Sequence, residues 1–461
     1  MLFSSYEFLV FLAVVLVLAQ YFKGRSRNHV LLVASYAFYA SWNPYFLSLL
    51  MFSTCLDFLC GGQIAKSSAP GRRKAYLAAS LVGNLGVLSY FKYGNFFMEN
   101  IALVSGVDAT PFYLNVIIPL GISFYTFQSM SYTIDMYRGA SDPYDKLLDF
   151  ALYVTFFPQL IAGPILRAGD FKPQLSRTEP VREDEMLKGV ELFFVGLFKK
   201  VVIADNLGRA VDPVFASPDT YSGASILLAS TMFWVQIYCD FSGYSTMARG
   251  VASLFGFHLP RNFNFPILAY NPLVYRRSWH ITMGNWFTDY VYKPLGGSRV
   301  GDLRYAANIM ITWTALGLWH GASWNFIGWG AYNGAILAVY AVFMRRKTWS
   351  LPVFPGKRIL GWMLNAPTLI FSALLFRSHD MSDFQIGLGR VVTWADGKDV
   401  ATGWFISLAG LFLVHLICFR WYREEFLQNV GWVPRVLALS AGTILIALLA
   451  SSTRPFMYFQ F

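Results

Sequence analysis

Residues 311–334 read ITWTALGLWHGASWNFIGWGAYNG, and the chain is organised around this stretch. Apolar, small and amide side chains surround His320, which is the only His, Asp, Glu, Lys or Arg in it. A titratable group inside an apolar segment of membrane length costs roughly a few kcal/mol, so by default it is functional. A structural histidine in an aromatic shell is the alternative. The glycines at 317, 321, 328, 330 and 334 would let another helix or a ligand approach the backbone closely.

The composition is that of an integral membrane protein. Of the 461 residues, 56% are hydrophobic and only 14% are charged, whereas a soluble domain has roughly 25% charged residues. Apolar runs recur along the whole chain and no polar block is longer than a loop, which predicts one multi-pass domain over residues 1–461. The net charge of +11 is therefore interpreted through loop placement, and nucleic-acid binding is not expected.

Basic clusters between the apolar runs predict the orientation. One cluster, at 23–27, follows the first run, and another, at 72–74, follows the third. The positive-inside rule puts both in the cytoplasm. The clusters at 345–347 and 420–423 fit the same orientation. About ten or eleven spans result, with the N-terminus and the C-terminus both outside the cytoplasm.

Four parts of the chain are poorly suited to straight spans. Residues 150–167 carry two prolines, each of which removes an amide donor and kinks a helix, so a broken or re-entrant helix is expected. A proline and a glycine also interrupt the run at 112–137. Residues 190–207 mix an apolar face with charged side chains, as an interfacial helix would, and a solvated loop followed by an ordinary span is the alternative. Residues 261–299 are rich in aromatics and amides without a clean apolar span, which predicts short helices or loops.

The chemistry open to this chain is narrow. His280 is a second candidate, and two histidines 40 residues apart in sequence could meet in a helical bundle. The chain has no Gly-x-Ser-x-Gly elbow, no P-loop and no zinc signature, and a zinc site would need a third ligand, so no bound metal or cofactor is expected. General base catalysis remains. In it, a neutral imidazole takes the proton from an acceptor hydroxyl as that hydroxyl attacks an activated acyl group.

Several motifs together resemble one family. They are FPQLIAGP at 157–164, DFSGYS at 240–245, WHIT at 279–282 leading to PLGG at 294–297, LWHGA at 318–322 and YFQF at 458–461. In these motifs the sequence is similar to the membrane-bound O-acyltransferase family, and within it to the bacterial branch of alginate O-acetyltransferase membrane subunits. The resemblance covers essentially the whole chain.

The resemblance implies an all-α integral membrane fold around a central tunnel, with His320 as the catalytic base and His280 as the second motif histidine. It also implies that acetyl groups pass from a cytoplasmic thioester donor, acetyl-CoA, to extracytoplasmic proteins that place them on a polysaccharide. The expected location is the cytoplasmic (inner) membrane of a bacterium, in contact with membrane lipid. Residues that we assign to substrate binding are Trp319, Asn325, Trp286 and Asp289.

Other functions stay open on the residues alone. The same fold could serve as a D-alanyl exporter for teichoic acids or as a lipid acyltransferase. A non-enzymatic transporter subunit is suggested by Asp57, Asp135 and Asp240 in apolar segments, although the chain lacks the internal repeat of many transporters. The depth of His320 is also open. A straight span over 324–344 would put it near the outer face, whereas the resemblance puts it inside the tunnel.

Overall fold

The protein is helical. The computed structural model describes residues 1–106, 108, 113–346, 356–401, 403–417, 430–450 and 455–457. In this part of the chain, β-structure is limited to one isolated bridge, which agrees with the all-α prediction. Two compact units are present, Met1–Phe193 with Met247–Pro260, and Phe194–Thr246 with Arg261–Phe461. A single domain over 1–461 stays a prediction. The basic cluster at 420–423, the YFQF motif and the predicted position of the C-terminus fall outside the described residues.

The first unit contains the two interruptions predicted before residue 170. Its helices are α1 (Tyr6–Tyr21), α2 (Gly24–Ala40), α3 (Leu47–Lys66), α4 (Pro70–Leu88), α5 (Gly94–Ser105), α6 (Ile122–Arg138), α7 (Leu147–Thr155), α8 (Ala168–Phe171) and most of α9 (Glu183–Phe198). The break is confirmed because α7 ends three residues before Pro158, and residues 156–167 are not helical. In the other interrupted run, the helix starts only after Pro119 and Gly121, whose φ is 71°.

Arg27 and Asp57 are among the buried charged residues of the first unit. Helix α2 starts within the predicted basic loop, and Arg27 is 6% exposed with its guanidinium 5.3 Å from the centre of the Phe257 ring. Asp57 in α3 is fully buried. Ser80 Oγ donates to Asp57 Oδ1 at 2.5 Å, and Asn84 Nδ2 donates to Oδ2 at 2.8 Å. These hydrogen bonds offset the cost of burying the carboxyl, so Asp57 has a structural explanation.

The second unit contains the region around His320. Its helices are α10 (Asp205–Ala216), most of α11 (Gly223–Leu254), α12 (Pro272–Ser278), α13 (Ile281–Phe287), α14 (Asp302–His320), α15 (Trp324–Arg345), α16 (Lys357–Arg377), α17 (Met381–Thr393), α18 (Gly403–Ile417) and α19 (Trp432–Leu449). The short helices expected within 261–299 are confirmed by α12 and α13, of seven residues each. An interfacial helix over 190–207 would expose its charged side chains. This part of the prediction is wrong, because Lys200 and Asp205 are both buried.

Five helices are long and apolar enough to cross a membrane within the described ranges. They are α11, α15, α16, α19 and Pro44–Lys66, which includes α3. Two shorter apolar helices, Tyr6–Tyr21 and Gly403–Leu416, accompany them. The chain is therefore a multi-pass membrane protein. The ten or eleven spans predicted from sequence exceed the five, and that number stays a prediction.

Glycines let α14 and α15 approach each other closely. A Cβ added at Gly317 would overlap the carbonyl oxygen of Phe326, and one added at Gly330 would overlap the carbonyl oxygen of Trp313. Gly328 is different, since its nearest neighbour would be Met381 Cε at 3.4 Å, an ordinary contact. The predicted close approach therefore holds at 317 and 330 and does not hold at 328.

We expect Gly330→Ala to lower the free energy of unfolding by about 1–3 kcal/mol, because the added methyl group overpacks the crossing against backbone atoms that have little room to move. Gly328→Ala is the matched control on the same helix. It should leave stability unchanged or raise it by up to about 1 kcal/mol, because alanine favours helix more than glycine does. Thermal unfolding of both variants in detergent measures the difference. Equal unfolding temperatures would contradict the close crossing.

Candidate active site

His320 is the last residue of α14 and is 7% exposed. The helix ends there because the next residue, Gly321, has an extended backbone with φ −165°. Three aromatic rings enclose the imidazole, with centroid distances of 4.8 Å to Trp319, 4.9 Å to Trp329 and 5.2 Å to Phe376. Because these rings belong to α14, α15 and α16, three helices together fix the orientation of the imidazole.

His280 lies in the turn between α12 and α13, outside the five candidate spans, and is 4% exposed. Its backbone is left-handed, with φ 40°, a conformation that costs energy for a residue other than glycine and is frequent at functional sites. The imidazole lies 4.5 Å from the ring of Phe241 and 6.0 Å from that of Trp319, measured between centroids. Burial lowers the pKa of His280, which keeps the imidazole neutral at physiological pH.

Hydrogen bonds to Asn262 stabilise the turn that contains His280. Asn262 is 1% exposed, and its Oδ1 accepts hydrogen bonds from Thr282 N at 3.2 Å and from Thr282 Oγ1 at 3.0 Å. Its Nδ2 donates to Ser245 Oγ at 3.1 Å, and its carbonyl oxygen accepts from Ile281 N at 2.9 Å. These bonds stabilise the left-handed residue from the side of α13. The sequence reasoning did not identify Asn262, because nothing in the linear pattern pairs it with Thr282.

The two histidines line one cavity of about 190 Å³. Trp319 lies between them, 4.8 Å from the ring of His320 and 6.0 Å from the ring of His280. A second cavity of about 40 Å³ also has His320 in its wall. The residues that the two cavities share are Tyr275, Trp279, His320 and Trp329. His320 thus lines both cavities.

The charged residues in the wall of the larger cavity are basic. Arg276 Nη2 donates to Gly284 O at 3.2 Å and to the hydroxyl of Thr288, so its guanidinium is held in place. Arg277 is exposed and also lines the cavity. Neither cavity has a carboxylate among the described residues that line it. The local charge therefore favours an anionic ligand.

None of the four residues assigned to substrate binding lines either cavity. Asn325 is buried and donates to Ser378 O at 3.0 Å, which ties the start of α15 to the end of α16. Trp286 packs on Phe287, with centroids 5.4 Å apart. Asp289 pairs with Lys293 in the next helical turn at 2.7 Å. Asn325, Trp286 and Asp289 thus have partners away from the two cavities. Of the four residues, Trp319 is the one whose ring packs near both histidines.

A buried ion pair adjoins Phe241, whose ring contacts the second histidine. Lys200 Nζ lies 2.6 Å from Asp240 Oδ1 and 2.7 Å from Asp205 Oδ1. The other oxygen of Asp240 accepts a hydrogen bond from Met457 N at 2.8 Å. Asp240 is thus occupied by structural partners, which accounts for a carboxylate in the middle of α11.

Comparisons with known proteins agree with the motifs. Residues 75–376 match the model of the membrane-bound O-acyltransferase family. A protein of Azotobacter vinelandii named "probable alginate O-acetylase" is 40% identical over 74% of this chain and 68% of its own length. A protein of the same name from Pseudomonas putida is 33% identical over 100% of both chains. A "peptidoglycan O-acetyltransferase" of Helicobacter pylori is 33% identical over 94% of this chain and 91% of its own.

Proposed function

Because this chain belongs to the membrane-bound O-acyltransferase family and is therefore an O-acyltransferase, we propose that it moves acetyl groups across a bacterial inner membrane for O-acetylation of an extracellular polysaccharide. The donor is acetyl-CoA on the cytoplasmic side, and extracytoplasmic partner proteins pass the acetyl group to the polysaccharide. Both chain termini are extracytoplasmic in this proposal. The relatives named as alginate and peptidoglycan O-acetylating enzymes support the acetyl group as the cargo.

The reaction uses His320 as the general base. Its imidazole takes the proton from the acceptor hydroxyl while the hydroxyl oxygen forms a bond to the carbonyl carbon of the thioester. The carbon–sulfur bond then breaks, and the thiolate leaves with the proton that the imidazolium returns. His280, neutral because burial lowers its pKa, donates a hydrogen bond to the carbonyl oxygen as negative charge develops there. The shared cavity of the two histidines is the observation that carries this proposal.

The two cavities that His320 lines serve the two substrates. The larger cavity takes the thioester end of the donor, and Arg276 and Arg277 in its wall attract the phosphates of CoA, the rest of which stays outside the cavity. The smaller cavity, beyond the shared aromatic residues, leads to the acceptor. This arrangement lets the thioester and the hydroxyl approach His320 from opposite directions without mixing the two compartments.

The charge and size of the site favour acetyl over the alternatives. A D-alanyl group carries an ammonium, and the described residues of the two cavities include arginines and no carboxylate to pair with it. A volume of about 190 Å³ is small beside the roughly 300–1,000 Å³ of sites for larger ligands, which disfavours a long acyl chain. The non-enzymatic transporter is not supported, since the chain is an O-acyltransferase.

Donor use by the purified protein tests the proposal. The protein is reconstituted in vesicles and given acetyl-CoA, a D-alanyl thioester or palmitoyl-CoA in parallel, and release of the free thiol is followed over time. We expect acetyl-CoA to be consumed at least tenfold faster than the other two. Faster consumption of the D-alanyl or palmitoyl donor would assign the chain to that alternative and overturn acetylation.

A further inference from the structure

A groove between α15 and α16 is larger than both cavities at His320, and the acyl-transfer chemistry does not use it. Its volume is about 1130 Å³, and both helices are candidate membrane spans. Large apolar side chains line it and remain exposed, among them Val339 at 57%, Phe343 at 50% and Leu364 at 56%. A groove of this kind in a membrane span faces hydrocarbon, so its surface suits an acyl chain.

The two ends of the groove differ. One end is narrowed by a hydrogen bond from Tyr332 Oη to Thr368 O, at 3.1 Å. At the other end, α16 starts with Lys357 and Arg358, both of which line the groove. The twelve residues from 357 to 368 are separated by eleven helical rises of about 1.5 Å each, or about 16 Å in total. This is about half of the roughly 30 Å hydrocarbon core, so the groove has the depth of one leaflet.

The basic end is electrostatically unbalanced. The groove has no Asp or Glu in its lining among the described residues. No ion pair joins Lys357 or Arg358 to a carboxylate in the part of the chain that the structure covers. The guanidinium of Arg358 lies 5.6 Å from the centre of the Tyr270 ring, which holds it at the mouth of the groove. Two cations at the level of the head groups, above an apolar groove one leaflet deep, complement an anionic phospholipid.

We propose that this groove binds one anionic glycerophospholipid, with the phosphate on Lys357 and Arg358 and an acyl chain between α15 and α16. The floor of the groove includes Asn271, whose Oδ1 accepts a hydrogen bond from Val274 N at 2.8 Å and so caps α12. The bound lipid thus contacts the residue that caps α12, the helix that precedes His280. The site is independent of the identity of the transferred acyl group.

Lipid binding to the full-length protein tests this site without an activity assay. The delipidated protein in detergent is titrated with phosphatidylglycerol, with phosphatidylcholine and with inorganic phosphate, and bound lipid is counted by native mass spectrometry. We expect phosphatidylglycerol to bind tightest. The double variant Lys357→Gln/Arg358→Gln should weaken this binding about thirtyfold, from roughly 1 kcal/mol for each cation. Ala335→Trp, at an exposed position in the groove, should also weaken it by filling the space.

Two matched variants control for charge and for surface bulk. Arg72→Gln/Lys74→Gln removes two exposed cations at another helix end, and Leu448→Trp introduces a tryptophan at a position 74% exposed on α19. Both should bind phosphatidylglycerol as the native protein does. Equal binding of phosphatidylcholine, or equal losses in test and control variants, would overturn the anionic-lipid site. Competition by inorganic phosphate alone would overturn the lipid as its occupant.

Discussion

Replacing His320 by glutamine is expected to lower the rate of acetyl transfer by about 10²–10⁴-fold, the range that a positioned general base contributes. Glutamine fills a similar space and can hydrogen-bond, but it takes up no proton near neutral pH. The native ring packs on Trp319, Trp329 and Phe376, so a variant that keeps the volume tests the chemistry with the least change in packing. The measurement is the initial rate of thiol release from acetyl-CoA in reconstituted vesicles.

His379→Gln is the matched control, since its side chain is 85% exposed and the substitution is the same. It should keep the native rate. Thermal unfolding of both variants shows whether the His320 variant is folded. A folded His320→Gln protein with more than a tenth of the native rate would rule out the general base while leaving membership of the family untouched.

The sequence identified the two histidines because each carries a signal that needs no structure. A histidine in an apolar stretch is costly wherever the helix packs, so His320 stood out before its neighbours were known. His280 was the second candidate on the residues alone, and the resemblance strengthened it. Their meeting at one cavity was predicted only as a possibility, because the turn that presents His280 depends on Asn262, which is remote in sequence from Thr282.

The wall of the cavity was predicted less well. Trp319, Asn325, Trp286 and Asp289 were chosen for their residue type and nearness in sequence. None of them lines either cavity, because the rotation of each helix about its axis decides which side chains reach one. Helix α12 instead places Arg276 and Arg277 in the wall of the larger cavity. That rotation is set by contacts with residues far along the chain, and no window of sequence contains them.

Helix α11 continues past a buried carboxylate. A mostly apolar run covers residues 224–238, just before Asp240. The helix in fact continues through the whole DFSGYS motif to Leu254. Asp240 is tolerated there since Lys200, 40 residues earlier, lies 2.6 Å away. The hydropathy of one segment contains no information about an ion-pair partner in another segment.

The second large effect is therefore expected at Lys200. Lys200→Met removes the cation that contacts both Asp240 and Asp205, and it leaves both carboxylates buried. Breaking a buried pair from one side destabilises a protein by about 3–5 kcal/mol, because the remaining charge has lost its compensation. We expect a large fall in the unfolding temperature and in the yield of folded protein in detergent.

The matched control is Lys293→Met, which breaks another lysine–aspartate pair of the same 2.7 Å length, with side chains 66% and 36% exposed. Exposed pairs contribute about 0–1 kcal/mol, so this variant should unfold close to the native temperature. Neutralising the carboxylates in Lys200→Met/Asp205→Asn/Asp240→Asn should recover part of the lost stability, because amides are less costly to bury than unpaired charges. If Lys200→Met and Lys293→Met proved equally stable, the buried pair would not be what allows Asp240 to lie inside α11. The continuity of that helix would then need another cause.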